Sequence, residues 1–213
     1  GLFLYLNANK LGITLNIKNP TGQKILKDLL KDADVFVENN SPKLMKKWGL
    51  DYARLKKINS RLILTSITPF GQTGPYQDYK AYAINCCAAG GVSQITGHFW
   101  REPLMTPVSL GHYQAAISGA GATMVALLAR DVTGRGQQVD ISEAEVWATF
   151  HVGFGVTKYT GGAGDSLRKG YLGGGMTYPA GRLIPCKDGH IALVAPQLKQ
   201  WVKFLELMGT PDW

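Results

Sequence analysis

The sequence predicts an α/β fold: an open, mostly parallel sheet with helices on its faces, followed by the start of a smaller α+β domain. Three observations carry this. Short β-branched runs alternate with stretches of helical period, the order expected of parallel strands joined by crossover helices. Two polar clusters, Leu6-Asn7-Ala8-Asn9-Lys10 and Val37-Glu38-Asn39-Asn40-Ser41-Pro42, fall where strands are expected to end. Ligands of open α/β sheets bind in the crevice at the carboxyl ends of strands, where amide and ammonium groups suit an anionic, phosphate-bearing ligand. Finally, the chain changes character after about Thr157, where glycines accumulate.

The elements follow in order. Ile13–Ile17 alternates apolar and polar residues and is expected to be a strand. Asn19 is a good N-cap with Pro20 at the first helical position, and Ile25, Leu29, Leu30 and Ala33 mark one helical face. Val35–Val37 is expected to be a short buried strand. Ser41 caps a helix that runs through Lys47 and stops at Gly49. Tyr52–Ile58 is a further helix, and Leu62–Ile67 a β-branched strand. The turn-rich Gly71-Gln72-Thr73-Gly74-Pro75 precedes helices at Ala81–Ala89 and His112–Ala129. Gly134-Arg135-Gly136 breaks the pattern before a strand at Gln138–Ile141, which leads into a helix from Ser142. Tyr159–Tyr178 is a glycine-rich loop or connector. Beyond it, Arg182–Pro185 and His190–Val194 flank Lys187-Asp188-Gly189, a hairpin signal, and Gln197–Met208 is a helix. The organisation is therefore 1–157 as a large domain, 158–178 as a connector and 179–213 as the beginning of a small domain.

Composition narrows the function. The chain is 45% hydrophobic and 18% charged over 213 residues, which is globular rather than disordered. No apolar run reaches the roughly 18 residues needed to span a bilayer, and Ala115–Leu128 reads as a packed helix rich in small residues. No membrane partner is therefore expected. The chain opens Gly1-Leu2-Phe3-Leu4 with neither initiator Met nor basic leader and ends Thr210-Pro211-Asp212-Trp213, so a piece of a longer polypeptide is expected. The net charge of +8 favours anionic partners. The lysines are dispersed, and no nucleic-acid-binding signature is present, so a small phosphate-bearing molecule is preferred to nucleic acid. Cys86, Cys87 and Cys186 make no disulfide framework and point to reduced thiols in the cytoplasm, with the first two buried in a helix. His98, His112, His151 and His190 have no metal-ligand spacing, so no metal site is expected.

The order of motifs resembles the family III (CaiB/BaiF) CoA-transferases. The resemblance rests on Leu6–Lys10, on Val37–Pro42 with Lys47 and Gly49-Leu50, and on Ile58-Asn59-Ser60-Arg61-Leu62-Ile63. It continues through Phe70–Pro75, Arg130 with Thr133–Gln137, and Tyr178-Pro179 ahead of Cys186–Gly189. No single motif decides; their order over nearly the whole chain is specific. The resemblance implies a Rossmann-like large domain with helices on both faces, a smaller domain, and two subunits threaded through each other as linked rings. The partner chain would be a second copy or a homologue. Coenzyme A and its acyl thioesters are implied as substrates, with a free carboxylic acid as acceptor and no permanently bound cofactor.

The resemblance also implies roles for residues. Asn7, Lys10, Asn39 and Asn40 fall where the family lines its nucleotide and pantetheine cleft. Lys47 stands where relatives often carry an arginine on a CoA phosphate, keeping the charge but losing the bidentate fork. Lys80 and Tyr82 lie on the loop that approaches the thioester, and Gly173, Gly174 and Gly175 match the mobile glycine loop. Taken singly, the asparagines also read as turn residues, the lysines as surface charges and the glycines as a linker. The family's nucleophile is an aspartate that forms a mixed anhydride with the acyl group and then an enzyme–CoA thioester. His112 occupies that position here, and imidazole cannot form a carboxylic anhydride. The His–Asp pair of the family's racemases is also missing, since Tyr82 and Ala83 stand at the corresponding place. His112 is thus either a catalytic residue of altered chemistry or an ordinary helix N-terminal residue, and the later Glu143 and Glu145 are given no role. Three functions follow: an acyl-CoA transferase with altered chemistry, a non-catalytic CoA-binding subunit beside an active homologue, and a basic α/β protein that binds nucleic acid.

Overall fold

A computed structural model describes residues 1–97, 101–150, 182–193, 195 and 197–211. The chain forms two compact units, one of residues 1–80 and 115–142 and the other of 81–114 and 143–213.

The first unit is built on a three-stranded parallel sheet in the order β1-β2-β3, with β1 at Val35–Glu38, β2 at Ile63–Thr68 and β3 at Gln138–Ser142. The register explains the two faces. Because side chains alternate across a strand, Phe36, Leu64 and Gln138 share one row and Glu38, Ser66 and Asp140 the next row on the same side. On that side Leu64 joins Leu30, Met45, Leu50, Leu55 and Leu62 in a core supplied by α2 (Pro20–Leu29), α3 (Pro42–Trp48), α4 (Tyr52–Leu55) and the turns that follow them. On the other side Ile63 and Val139 pack against Ala126 of α7 (Leu110–Thr133), and the Thr65 and Thr123 hydroxyls meet at 2.6 Å. Gly119 lets α7 lie close, since a Cβ there would come within 3.0 Å of Ile67. Helices therefore cover both faces, as an α/β sheet requires.

The helix caps match the sequence. Asn19 accepts from Thr21 N–H at 2.8 Å with Pro20 opening α2, Ser41 caps α3, and Gly49 ends it in the left-handed region at φ 67. Asp51 caps α4, which stops at Leu55 rather than Ile58. α7 begins two residues before the expected start and runs four beyond the expected end, to Thr133.

Two expectations are corrected. Residues Ile13–Ile17 form no strand: Leu11 and Ile13 are exposed, and the Asn16 side chain accepts from Lys18 N–H to make a turn. A strand needs a neighbour for its ladder, and among the described residues this segment has none, although Leu15 and Ile17 are half-buried. The cluster Leu6–Lys10 does not end a strand either; it follows α1 (Leu2–Leu6), a helix with no buried residue. Among the described helices α7 passes a length-and-composition test for crossing a membrane, as the packed core helix of an α/β protein can, and it lies on the sheet. Only one of its sides is packed: Ile117, Met124, Val125, Leu128 and Val132 are exposed. In addition, β1 lies at an edge of the sheet formed by the described residues, and Val37 is exposed on it.

The amino ends of the strands are cross-linked. Asn59 Nδ2 donates to Leu30 O and Ala33 O, Gly136 N donates to Ser60 O, and Arg130 reaches Arg61 O at 3.2 Å and the Asp34 carboxylate at 2.8 Å. Gly136 is required here, because a Cβ would lie 2.0 Å from Leu62 O.

The second unit contains α5 (Ala83–Ala89), α6 (Val92–Ile95), the first turn of α7, α8 (Glu143–Phe150), β4 (Arg182–Cys186), β5 (Gly189–Leu193) and α9 (Leu198–Leu207). Cys86, Cys87, Val92 and Trp147 form its described core. β4 and β5 pair antiparallel as the Lys187-Asp188-Gly189 turn predicts, with Ile184 opposite Ile191. Gly90 sits where a Cβ would come 2.3 Å from the Trp147 side chain, so α5 and α8 touch through backbone.

Candidate functional site

Two arrangements of polar groups stand out, one in each unit. In the first unit the sheet face described above changes from apolar to polar toward its carboxyl edge. Leu64 and Phe36 give way to Glu38, Ser66, Asp140 and then Thr68. Gln72 N–H donates to both oxygens of Asp140, at 3.1 and 2.9 Å, and Asn40 N–H donates to Glu38 Oε2 at 2.7 Å. Gly71 makes the first of these turns possible, with φ 80 and the Asp140 carboxylate 3.5 Å from where its Cβ would be. A pocket of ≈ 230 Å³ opens here, lined among others by Glu38, Met45, Lys46, Tyr52, Ser66 and Gln72. Three polar atoms of its lining, Glu38 Oε1, Ser66 Oγ and Gln72 Nε2, are buried without a hydrogen-bond partner. Leaving such groups unpaired costs about 1–3 kcal/mol each, which a ligand offering both donors and acceptors would recover.

The residues singled out from sequence are placed as follows. Asn7 Nδ2 donates to Phe3 O at 3.0 Å, and Lys10 Nζ donates to Leu6 O at 2.8 Å and Asn7 Oδ1 at 3.1 Å, so both fasten the end of α1. Asn39 is exposed directly after β1, and Asn40 is half-buried beside it. Lys47 is exposed on the last turn of α3; the pocket takes its neighbour Lys46. Lys80 is exposed. Tyr82, in the second unit, caps α5 through its backbone N–H, which donates to Asn85 Oδ1 at 2.9 Å, and its ring is exposed. Gly173, Gly174 and Gly175, with the connector that carries them, lie outside the described residues. Glu38, Ser66 and Gln72 were missed as site residues. Glu38 and Ser66 meet only through the parallel register, and Gln72 only through its N–H contact with Asp140, so no local pattern joins the three.

In the second unit His112, in the first turn of α7, lies with Nδ1 2.8 Å from Glu143 Oε2 at the start of α8. The imidazole is 57% exposed and the carboxylate only 6%. Gly111 lets the two helices meet: a Cβ there would come 2.5 Å from Glu143 Oε1 and 2.4 Å from Trp147 Nε1. Immediately before the helix, Val108 and Ser109 have φ of 51 and 54, a conformation unusual for a β-branched residue. Burial first, and then the charge of Glu143, push the Cys86 thiol up to about 12. Cys86 is therefore a neutral thiol rather than a nucleophile. Glu143 was given no role in the sequence reading. The pair spans 31 positions, and no local pattern announces it. Among the described residues no cluster of histidine, cysteine and carboxylate side chains could hold a metal ion.

A parallel sheet covered on both faces, with a polar ledge and pocket at its carboxyl edge, defines an α/β protein whose pocket lies where open sheets of this class bind their ligands. Comparison with known proteins is more specific. The model of CoA-transferase family III matches residues 1–213, and the chain belongs to that family. It is 31% identical over 219 residues to the succinyl-CoA:(R)-benzylsuccinate CoA-transferase subunit BbsE of Thauera aromatica, covering 99% of this chain and 52% of that one. It is 31% identical over 234 residues to a formyl-CoA:oxalate CoA-transferase of Rhodopseudomonas palustris (strain BisB18), covering 99% and 54%. A crystal structure of a CaiB/BaiF family protein from Brucella suis superposes with a TM-score of 0.76 at 29% identity, over 93% of this chain and 52% of that one. The chain thus spans about half the length of the curated relatives it matches.

Proposed function

We propose that the protein binds coenzyme A thioesters and takes part in moving CoA between an acyl-CoA and a free carboxylic acid. The observation that carries this is family membership over the whole chain, together with the strand-end pocket and its unpaired polar atoms. A pantetheine-linked nucleotide offers amides, hydroxyls and a base that match a carboxylate, a hydroxyl and an amide donor. Lys46 at the pocket, and Lys47 and Lys10 outside it, supply positive charge for its phosphates. In this reading Asn7, Asn39, Asn40 and Lys80 contact the ligand, and Tyr82, Gly173, Gly174 and Gly175 keep the roles that the family resemblance implies. No nucleic acid or membrane is a partner, and the three free cysteines support a reducing cytoplasm.

His112 favours a second reading, a CoA-binding subunit that works beside a homologous chain. Two relatives carry subunit designations, the BbsE subunit and the beta subunit of the succinyl-CoA–L-malate CoA-transferase of Chloroflexus aurantiacus. The exposed apolar side of α7 supports assembly with a second chain, its own copy or a homologue. Calorimetric titration with CoA tests the shared core of both readings. Binding in the micromolar range, weakened about tenfold by Ser66→Leu, is expected; no heat at millimolar CoA overturns both. Isotope exchange between succinyl-CoA and free succinate, with and without a homologous chain, separates transferase from subunit.

A further inference from the structure

We propose that His112 and Glu143 form a general base and its orienting carboxylate, and that they give this chain an acyl-CoA hydrolase activity. The inference rests on the reading that the protein binds CoA thioesters; it adds what happens at the carbonyl.

The geometry comes first. A carboxylate can only accept a hydrogen bond, so the 2.8 Å contact makes His112 Nδ1 the donor. In the neutral ring Nε2 then carries the lone pair. Glu143 is buried and His112 exposed, so the orienting group is inside and the ring is open to solvent. Base, orienter and an accessible nitrogen are the recurring parts of base-assisted acyl chemistry. Gly111 holds the two helices close enough for the contact, and the left-handed Val108 and Ser109 set the start of α7. Strain of this kind costs on the order of 1–3 kcal/mol per residue and clusters at functional sites. The neighbouring Cys86 is buried and protonated and does not compete as nucleophile.

The chemistry follows from which atoms an imidazole can join. A carboxylate nucleophile can keep CoA on the enzyme, because the departing thiolate can return to the carbonyl of the protein side chain. An imidazole has no carbonyl, so no enzyme–CoA thioester can form at residue 112. A base suits an acceptor that must lose a proton to attack, and water is such an acceptor whereas a carboxylate is not. Nε2 removes a proton from water as its oxygen bonds to the thioester carbon, and the carbonyl pair moves onto oxygen. Collapse breaks the carbon–sulfur bond, the pair leaves on sulfur, and the imidazolium returns the proton to the thiolate. The sum is thioester plus water giving carboxylic acid plus CoA thiol. Glu143 keeps its charge throughout and stabilises the imidazolium; it is a positioning residue.

The test uses the full chain with acetyl-CoA, succinyl-CoA and benzoyl-CoA, following release of free thiol in ¹⁸O-water. The expected result is thiol release from at least one of them without any added acid, with one ¹⁸O in the product. His112→Asn should lower kcat on the order of 100-fold. Glu143→Gln should lower kcat at least tenfold with KM unchanged, and Glu143→Asp should recover part of it, a pattern that loss of folding does not give. CoA affinity measured on the same variants should stay within about twofold of the parent. Parent protein that binds CoA but releases no thiol above the buffer rate overturns this inference and leaves the binding reading intact. Failure to bind CoA overturns both. Thiol release that persists in His112→Asn, or a covalent CoA adduct on Glu143, also overturns it.

Discussion

At the scale of single residues, the consequential feature is a buried carboxylate with two different neighbours. Glu143 holds the exposed His112 ring on one side and raises the buried Cys86 thiol on the other. The second effect has a measurable sign. Cys86 moves from the ordinary thiol value of 9.0 to about 12, so the folded state keeps a proton that the unfolded state loses. Below pH ~9 both states are protonated and the contribution is complete; as pH rises from ~9 to ~12 it is lost, at up to about 1.4 kcal/mol per pH unit. Thermal unfolding midpoints measured from pH 8 to 11 should therefore fall more steeply for the parent than for Cys86→Ser, which has no group titrating there. Parallel curves would contradict the burial of an ionisable thiol. None of this was legible from the adjacent Cys86-Cys87 pair beyond its burial, because the carboxylate arrives from a helix 57 positions away in the chain.

At the scale of elements, punctuation residues were read well and partnerships were not. Asn19, Ser41 and Gly49 specify their helix ends through local geometry, and the structure repeats them. Ile13–Ile17 carries the right alternation for a strand, yet alternation states only a preference that needs a neighbouring strand to be realised. The same limit hid the row Glu38–Ser66–Asp140, which exists only once three separated strands are in register. Arg130 shows how one residue ties elements together. Its guanidinium is 8% exposed and bonds to Arg61 O and to Asp34, whose side chain is 74% exposed. Arg130→Ala should cost about 2–3 kcal/mol in denaturant unfolding, chiefly through hydrogen bonds to a buried charge. Asp34→Ala should cost less than about 1 kcal/mol, as exposed ion pairs do. Equal losses would show that the ion pair, rather than the carbonyl contact, does the holding.

At the scale of the whole molecule, α7 is the unresolved demand. Its inner side supplies Gly119, Thr123 and Ala126 to the sheet, while Ile117, Val125, Leu128 and Val132 face outward. Monomeric proteins rarely leave so many large apolar side chains contiguous, so a partner surface is expected there. Light scattering should show association of the full chain, and Val125→Lys with Val132→Lys should shift it to a smaller species without lowering the unfolding midpoint by more than about 3 °C. A monomer in the parent would remove the need for a covering chain. The fold class was readable because strand and helix alternate over long stretches. The family was readable from motif order. The contact between His112 and Glu143 required the packed structure.

The fastening of the sheet is lopsided. Asn59, Arg130 and Gly136 rivet the starts of its strands, while the finishing ends meet a loop through backbone-to-carboxylate contacts. Amide hydrogens near Val35 and Ile63 should thus exchange only when the unit unfolds as a whole, and those near Glu38 and Thr68 through small local openings. Fastening of this kind lets one rim of the sheet adjust without loosening the other.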